Sequence, residues 1–322
     1  MRHENVISGL KETVRKEIAP LITGDYVLWG LPYYPNIGDT LIWEGELEFL
    51  KSIPHRCIGT CSWDDYAVRP LKKDTVILIT GGGYFGDVWR KAWDNVMETI
   101  VHYPDNPIVI LPNTIFYEKP ETMKKDAARL SGLKKLIICV RDNVSLSIAR
   151  ENFSNEVRLV PDMAFCISSG RLERWMSREN GRALLLKRID KEIGSTCEIP
   201  SSEDIDIRDW PTMDAKPKLA DMIFGRVHRM RKEARQRGSR LAPAAAWLEK
   251  AVAYCIYRPH LIRTGTRFIS CYHEIYTTRL HVMILGIILG KQVHYIDNSY
   301  GKLGSFYSTW LTECDNVNKF KR

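Results

Sequence analysis

The sequence predicts an α/β fold built from two Rossmann-like halves. Its 322 residues provide enough chain for about two domains of ordinary size. Short apolar runs alternate with helical stretches, which is typical of a parallel, doubly wound sheet. The alternation stops in the polar stretch 168–182 and restarts at Ala183, so the boundary is predicted near residue 170.

The first half, residues 1–170, is predicted as one Rossmann-like domain. Each of its predicted strands is a short run of apolar or β-branched residues bounded by polar residues or glycine. These strands are Tyr26–Trp29, Thr75–Ile79, Ile108–Leu111, Leu136–Val140 and Val157–Val160. Helices are predicted from about Thr40 to Leu50 and near 89–101, 120–131 and 143–151.

The second half, residues 171–322, repeats the pattern with one interruption. Its predicted strands are Ala183–Leu186, Ile205–Ile207, Glu274–Thr278 and Gln292–Ile296, and a helix is predicted at His281–Leu289. The interruption is a basic helical insertion at about 217–272.

Composition excludes several classes of protein. Apolar residues make up 44% and charged residues 27%, which excludes collagen-like and disordered chains. The apolar run Val282–Gly290 is far shorter than the roughly 20 residues of a membrane span, and no apolar leader follows Met1. A cytoplasmic location is therefore expected. Of the eight cysteines only Cys57 and Cys61 are close together, so reduced thiols are expected and no zinc site.

The net charge of +8 is concentrated in one segment. Residues 226–267 hold eleven Lys or Arg against Glu233 and Glu249, which is a net +9, so the rest of the chain sums to −1. Two interpretations remain open, a solvated or disordered insertion and a surface helix lying on anionic lipid. The helical interpretation has an apolar face at Ile223, Val227, Met230 and Ala234. Nucleic acid is not expected, because the segment lacks interleaved aromatic residues before Trp247.

A glycine-rich segment, 81–87, follows the second predicted strand and contains the pattern G-x-G-x-x-G. A dinucleotide site also needs an acid at the end of the next strand, and residues 111–114 contain none, so NAD or FAD is not expected. The alternatives are a tight turn without a ligand and a close approach of backbone to a sugar or an anion. For the second alternative Gly82, Gly83 and Asp87 are the candidate binding residues.

A second polar loop, Tyr33–Asp39, lies between the first strand and its helix, where ligands of parallel sheets bind. Aromatic faces beside Asn36 and Asp39 suit a sugar acceptor. Helix capping is the alternative role for Asp39.

Cationic residues follow three strands of the second half. Arg188 follows the strand that opens this half, Arg279 and His281 lie at a strand-to-helix junction, and Lys302 belongs to the polar loop 297–302 with Ser299. Cations that converge at strand ends predict a small, strongly anionic ligand. The alternatives are a solvated charged turn at 187–192 and a core role for His281.

The motifs, taken together and in order, resemble those of the polysaccharide pyruvyl transferase family over roughly residues 25–310. The motifs are Asn36-Ile37-Gly38-Asp39, the 81–87 loop, Arg141-Asp142, Pro161-Asp162, Arg188-x-Asp190-x-Glu192, Arg279-Leu280-His281 and the 297–302 loop. Two departures are Val282, where the family often has glycine, and the long basic segment.

The resemblance implies a GT-B-like pair of domains with a cleft between them. It also implies transfer of a pyruvyl group from phosphoenolpyruvate (PEP) to two hydroxyls of a sugar, without metal or nicotinamide cofactor, in capsular or exopolysaccharide synthesis. The family's Arg-Leu-His motif maps onto Arg279, Leu280 and His281, and its second-domain arginine maps onto Arg188. These residues, with Ser299 and Lys302, are expected to hold PEP.

The expected catalytic residues are His281 and Asp39. A protonated His281 donates a proton to C3 of PEP or stabilises the phosphate, and Asp39 accepts the hydroxyl proton. The acceptor, expected to be a lipid-linked oligosaccharide, is assigned to Asn36, Asp39, Gly82, Gly83 and Asp87. Two other functions remain open, a nucleotide-sugar glycosyltransferase of the same plan and a non-enzymatic basic adaptor at the membrane surface.

Overall fold

Two parallel β-sheets surrounded by helices form the protein. The computed structural model describes residues 1–66, 68–187, 204–214, 216–297 and 301–320. All strands of one sheet come from residues 26–159, and all strands of the other come from residues 183–319. The predicted α/β class with parallel sheets is confirmed. Over the described ranges, no helix has the length and apolar character needed to cross a membrane.

The first sheet has the strand order β2-β1-β3-β5-β6-β7, with β4 paired to β5. Its strands are β1 (Tyr26–Leu31), β2 (Cys57–Ser62), β3 (Val76–Ile79), β4 (Gly82–Gly86), β5 (Ile108–Phe116), β6 (Leu136–Val140) and β7 (Glu156–Leu159). The helices of this region are α1 (His3–Ile18), α2 (Ile37–Leu50), α3 (Arg90–Ile100), α4 (Pro120–Leu130), α5 (Asn143–Asn152) and α6 (Ser169–Glu173). The central strands β1 and β3 are wholly buried, which explains their unbroken apolar sequences.

The glycine-rich segment 81–87 differs from the predicted strand-to-helix turn. Gly82–Gly86 forms the strand β4, which pairs with the end of β5 beyond the stretch that β3 occupies. Gly86 has φ +140°, and a Cβ there would lie 1.8 Å from the carbonyl oxygen of Phe116. The glycine pattern therefore serves strand pairing at close range, and α3 begins only at Arg90.

The second sheet has the strand order β12-β11-β10-β8-β9. Its strands are β8 (Ala183–Leu186), β9 (Ile205–Arg208), β10 (Glu274–Thr277), β11 (Gln292–Tyr295) and β12 (Val317–Lys319). Its helices are α7 (Pro211–Asp214), α8 (Leu219–Gln236), α9 (Ala242–Val252), α10 (Arg258–Ser270), α11 (Leu280–Ile288) and α12 (Lys302–Trp310), and a π-helical turn, Ala253–Tyr257, joins α9 to α10. The predicted basic insertion is thus helical.

Helix α11 is buried on nearly all sides, so the apolar run 282–290 is a core helix. One continuous hydrophobic cluster includes residues of α1, α2, α10 and α11 together with strands of both sheets. Helix α1 lies within the predicted N-terminal range, yet it packs against α11, and the backbone N–H of His3 donates to Asp315. The sequence pattern did not indicate this placement of α1.

Candidate active site

A cavity of about 490 Å³ lies at the carboxyl ends of strands from both sheets. Part of its lining comes from the first half of the chain and is largely aromatic. This part includes Tyr34, Asn36, Asp39, Trp63, Tyr66, Tyr84 and Trp89. Another part of the lining carries more charge and includes Arg141, Asp209, Trp210, Arg279, His281 and Lys302. Ligands of parallel α/β sheets bind at this edge, so the cavity is the candidate active site.

The loop that precedes α2 holds the Asp39 carboxylate in a fixed position. Asn36, not Asp39, is the N-cap residue of α2, because its side chain accepts from the N–H of Gly38 at 2.9 Å. One carboxylate oxygen of Asp39, Oδ2, accepts from the Asn36 amide at 2.6 Å and from the Tyr34 hydroxyl at 2.9 Å. Asp39 faces the cavity, so its other oxygen is placed to accept from a ligand hydroxyl.

The imidazole of His281 packs directly on the first turn of α2. A Cβ at residue 38 would lie 2.8 Å from Nδ1 of His281 and 3.1 Å from its Cβ. Glycine at position 38 is therefore what allows the ring to approach this helix. The predicted catalytic residues His281 and Asp39, which are 242 positions apart in the sequence, both line the cavity.

Asp162 connects His281 to Arg141. Its Oδ2 accepts from Nη1 of Arg141 at 2.5 Å and lies 3.3 Å from Nε2 of His281. Burial alone would raise the pKa of Asp162, but the charges of His281 and Arg141 and hydrogen bonds from His281 and the Ala164 N–H hold it well below its ordinary value. The carboxylate therefore remains ionised and orients the side chains of both Arg141 and His281.

Arg141 is fully buried and is not among the site residues predicted from the sequence. Its Nε donates to Thr114 at 2.9 Å and its Nη1 to Asp162, while Nη2 has no hydrogen-bond partner within the described part of the chain. A buried arginine nitrogen that lines a cavity and lacks a partner is suited to bind an anion. The signal in the sequence was the position of Arg141 directly after the apolar strand β6.

Lys302 extends toward the same point as Arg141. A Cβ at residue 83 would lie 2.5 Å from Nζ of Lys302 and 3.3 Å from Nη2 of Arg141, so the two nitrogens meet beside Gly83. Lys302 is buried at the start of α12, after Gly301 with φ +74°. Of the predicted site residues, Lys302 and Gly83 thus lie together in the cavity.

Arg279 lines the cavity, as predicted, but its charge is balanced by an acid that the sequence did not indicate. Its Nε and Nη2 donate to the two carboxylate oxygens of Asp209, both at 2.7 Å. Asp209 follows β9 directly and is itself buried. A bidentate pair of this kind fixes the guanidinium plane at the cavity.

Several predicted residues lie elsewhere. Gly82 is not part of the cavity lining, and the Asp87 carboxylate accepts the backbone N–H groups of Glu118 and Lys119 at 2.8 and 2.9 Å, so it stabilises a loop instead. Arg188 and Ser299 fall outside the described residues. Nowhere in the described ranges do three or more His, Cys, Asp or Glu side chains form a group suited to a metal ion.

Glu46 lies beneath the cavity floor and is fully buried. Its two carboxyl oxygens contact the Thr80 hydroxyl and the Gly81 N–H, each at 2.8 Å. Burial raises the pKa of Glu46 to about 8, although these two hydrogen bonds act in the opposite direction. Because Thr80 and Gly81 line the cavity, Glu46 positions the backbone at the floor.

The raised pKa of Glu46 predicts a pH-dependent stability. The folded state holds this proton more tightly than the unfolded state, so the free energy of unfolding falls as pH rises from about 4.5 to about 8. Glu46→Gln removes this titration. Relative to the wild type, the variant should therefore gain stability between pH 5 and pH 8 in urea unfolding experiments, whereas exposed Glu98→Gln should not. A constant difference between wild type and E46Q would contradict the assignment.

Comparisons with known proteins identify the family of the chain. The family model for polysaccharide pyruvyl transferase matches residues 36–300. The Bacillus subtilis protein "Putative pyruvyl transferase EpsO" is 30% identical over 309 residues, which cover 95% of this chain and 89% of the relative. General stress protein 30 of Bacillus subtilis is 22% identical, with 97% of this chain and 85% of the relative covered.

The crystal structure of an uncharacterized protein of Klebsiella pneumoniae shares the fold, with a TM-score of 0.58 and 16% identity over 97% of this chain and 99% of that chain. The family match spans most of the chain and includes most of the residues that line the cavity, whereas Gly30, Tyr34, Pro35 and Lys302 lie outside the matched range. The chain therefore belongs to the polysaccharide pyruvyl transferase family.

Proposed function

We propose that the protein transfers the pyruvyl unit of PEP to two hydroxyls of a sugar, forms a cyclic pyruvate ketal and releases phosphate. Membership in the family supports pyruvyl transfer in polysaccharide synthesis. The observation that supports PEP as donor is the pair of buried nitrogens beside Gly83, Nη2 of Arg141 and Nζ of Lys302, in one cavity with His281.

The donor binds at the cationic end of the cavity. PEP carries a carboxylate and a phosphate, and both groups favour guanidinium and ammonium donors in a site that excludes water. Arg141 and Lys302 hold one anionic group of PEP. His281 of α11, which packs on the first turn of α2, faces the other anionic group. Arg279, whose guanidinium plane Asp209 fixes, also contacts the donor.

The acceptor binds at the aromatic end. Tyr34 and Trp63 form an edge-to-face pair with ring centroids 5.9 Å apart, and both line the cavity. Aromatic faces pack against the C–H faces of sugars, while hydroxyl groups need polar partners such as the Asp39 carboxylate. We assign the acceptor to a lipid-linked oligosaccharide of capsular or exopolysaccharide synthesis.

The reaction proceeds in two additions at C2 of PEP. A sugar hydroxyl attacks C2 and loses its proton to Asp39, while C3 accepts a proton from His281 and becomes a methyl group. The C2–O bond to phosphate then breaks, and a second hydroxyl of the same sugar attacks C2. Of the two protons that the sugar hydroxyls lose, one makes up for the proton that C3 gains, and the other leaves on the phosphate. No metal or redox cofactor takes part in these steps.

The proposal is tested by incubating the full-length protein with PEP and a panel of glycans. Phosphate release together with the mass increase of a pyruvate ketal on the glycan is expected, and 5 mM EDTA should leave the rate unchanged. A second panel replaces PEP by nucleotide sugars. Glycosyl transfer with that panel and no turnover of PEP would overturn the proposal, and loss of activity in EDTA with recovery on addition of a divalent ion would overturn its metal-free form.

Arg279→Ala should reduce turnover at least about 30-fold. Loss of a charge-assisted contact in a desolvated site costs roughly 2–4 kcal/mol, and each 1.4 kcal/mol corresponds to a factor of ten. The substitution also leaves Asp209 buried without its partner, so Arg279→Ala/Asp209→Asn is measured beside it. Exposed Arg150→Ala is the matched control. Turnover near the wild-type rate in both Arg279 variants would contradict a role for this pair at the donor site.

A further inference from the structure

Helices α8 and α9 form a hairpin whose outward side is both apolar and basic. The side chains on this side are highly exposed despite their apolar character. They are Leu219, Met222, Met230, Leu241 and Trp247, with exposures of 68%, 57%, 51%, 70% and 71%. We call this set, together with the exposed cations Arg226, Arg229, Arg237 and Arg240, the outer hairpin face.

The inward side of α8 is held by ion pairs to the first half of the chain. Arg231 is 3% exposed and lies 2.8 Å from Asp65 and 3.0 Å from Glu249. Lys232 lies 2.7 Å from Asp64, and Arg235 also pairs with Asp65. Arg231, Lys232 and Arg235 are therefore paired with internal acids and do not belong to the outer hairpin face. Val227 and Ala234, predicted on the apolar face, are half-buried.

The cations of the outer hairpin face differ from the inward cations in their ion pairing. Across the described ranges, no ion pair joins Arg226, Arg229, Arg237 or Arg240 to an acid. Of the three acids of α8 and α9, Glu249 is buried in the pair with Arg231, Asp221 is half-buried, and Glu233 is exposed. The face thus combines a positive field with large apolar side chains.

We propose that the outer hairpin face docks the protein on an anionic phospholipid surface. Apolar side chains enter the interface between headgroups and acyl chains, and cations beside them attract anionic headgroups. A second copy of the chain fits this face less well. Two-fold association through one surface would bring the four arginines of each copy close to those of the other.

The hairpin adjoins the cavity. Phe224 of α8 packs against Tyr33, with ring centroids 5.7 Å apart, and Tyr33 precedes the cavity residue Tyr34. On the other side, Met213 lines the cavity and is 41% exposed, and α8 begins six residues later at Leu219. If the proposed function holds, docking presents the cavity to an acceptor carried on the lipid surface.

The test is flotation of the full-length protein with vesicles of phosphatidylcholine alone or mixed with 30% phosphatidylglycerol. No PEP or sugar is added, so the result does not depend on the proposed reaction. The protein should float with the anionic vesicles at 50 mM salt, and at least tenfold less should float at 500 mM salt or with neutral vesicles.

Two variants test the face itself. Replacing Arg226, Arg229, Arg237 and Arg240 by Ser should lower the partition coefficient at least tenfold, and so should Leu241→Ser/Trp247→Ser. The matched charge control replaces the exposed Lys124, Lys125, Arg129 and Lys134 by Ser, and the apolar control is Val68→Ser/Val144→Ser. Both controls should float as the wild type does.

Several outcomes would overturn the proposal. Retention of the wild type in the soluble fraction at low salt is one such outcome, and unchanged flotation of the face variants is another. A charge control that loses as much binding as the face variant would show a general charge effect. Light scattering of the wild type and of Leu241→Ser/Trp247→Ser tests the remaining alternative, association of two copies. If the wild type is a dimer that does not bind vesicles, and this variant is a monomer, the face is assigned to a second copy.

Discussion

His281→Gln is expected to lower turnover by about 10²- to 10⁴-fold, the usual contribution of a positioned general acid. The glutamine amide can still donate to Asp162, which now accepts from Nε2 of His281, but it carries no transferable proton. The loss should therefore appear in kcat, with a smaller change in KM for PEP. Phosphate release under saturating PEP and acceptor measures it.

His294→Gln provides the matched control for His281→Gln. His294 also pairs through Nε2 with a carboxylate, that of Glu274 at 2.8 Å, but it lies on β11 and does not line the cavity. Its replacement should leave turnover within about threefold of the wild type. Equal losses in the two variants would mean that the effect comes from the fold, and an active H281Q would remove His281 from the reaction.

Arg141→Lys is expected to lower kcat/KM for PEP by roughly 30- to 1000-fold. This range corresponds to about 2–4 kcal/mol for one charge-assisted contact to a desolvated anion. Lysine keeps a positive charge near Asp162, so the buried carboxylate retains a counter-ion, but the second guanidinium nitrogen, Nη2, is lost. Initial rates over a PEP series separate this loss from any change at the acceptor end.

A thermal melt accompanies the Arg141→Lys kinetics. Arg90→Lys is the control, because Arg90 also donates to a buried carboxylate, that of Asp126, and does so outside the cavity. Both variants should lose some stability, and only Arg141→Lys should lose turnover. An R141K protein with wild-type kcat/KM would show that the buried nitrogen does not contact the donor.

Much of the fold could be predicted from local sequence patterns. Ala183–Leu186 forms the strand at the predicted positions, and the helix predicted at His281–Leu289 is α11, Leu280–Ile288. These elements are buried and strongly patterned, so their periodicity is clear. Strand β2, with exposed Cys57 and Ile58 at its start, and the three-residue β12 carry weak patterns and could not be predicted in this way.

The candidate site could be predicted in its strand-end loops but not in its long-range pairs. Five of the predicted residues line the cavity, because the carboxyl ends of parallel strands meet at one edge. They are Asn36, Asp39, Arg279, His281 and Lys302. The partners of these residues depend on tertiary contacts. Asp209 reaches Arg279 across 70 positions and Asp162 reaches Arg141 across 21, and no local spacing rule indicates such pairs.

The link between the hairpin and the cavity has a consequence for mutational screens. Trp63 forms part of the cavity wall, and the next two residues, Asp64 and Asp65, bind the inward cations of α8. Arg231 does not line the cavity, yet its loss would leave Asp65 and Glu249 without their buried partner. A screen scored on polysaccharide output would therefore rank Arg231 with the catalytic residues, and only a separate measurement of protein abundance would distinguish the two classes.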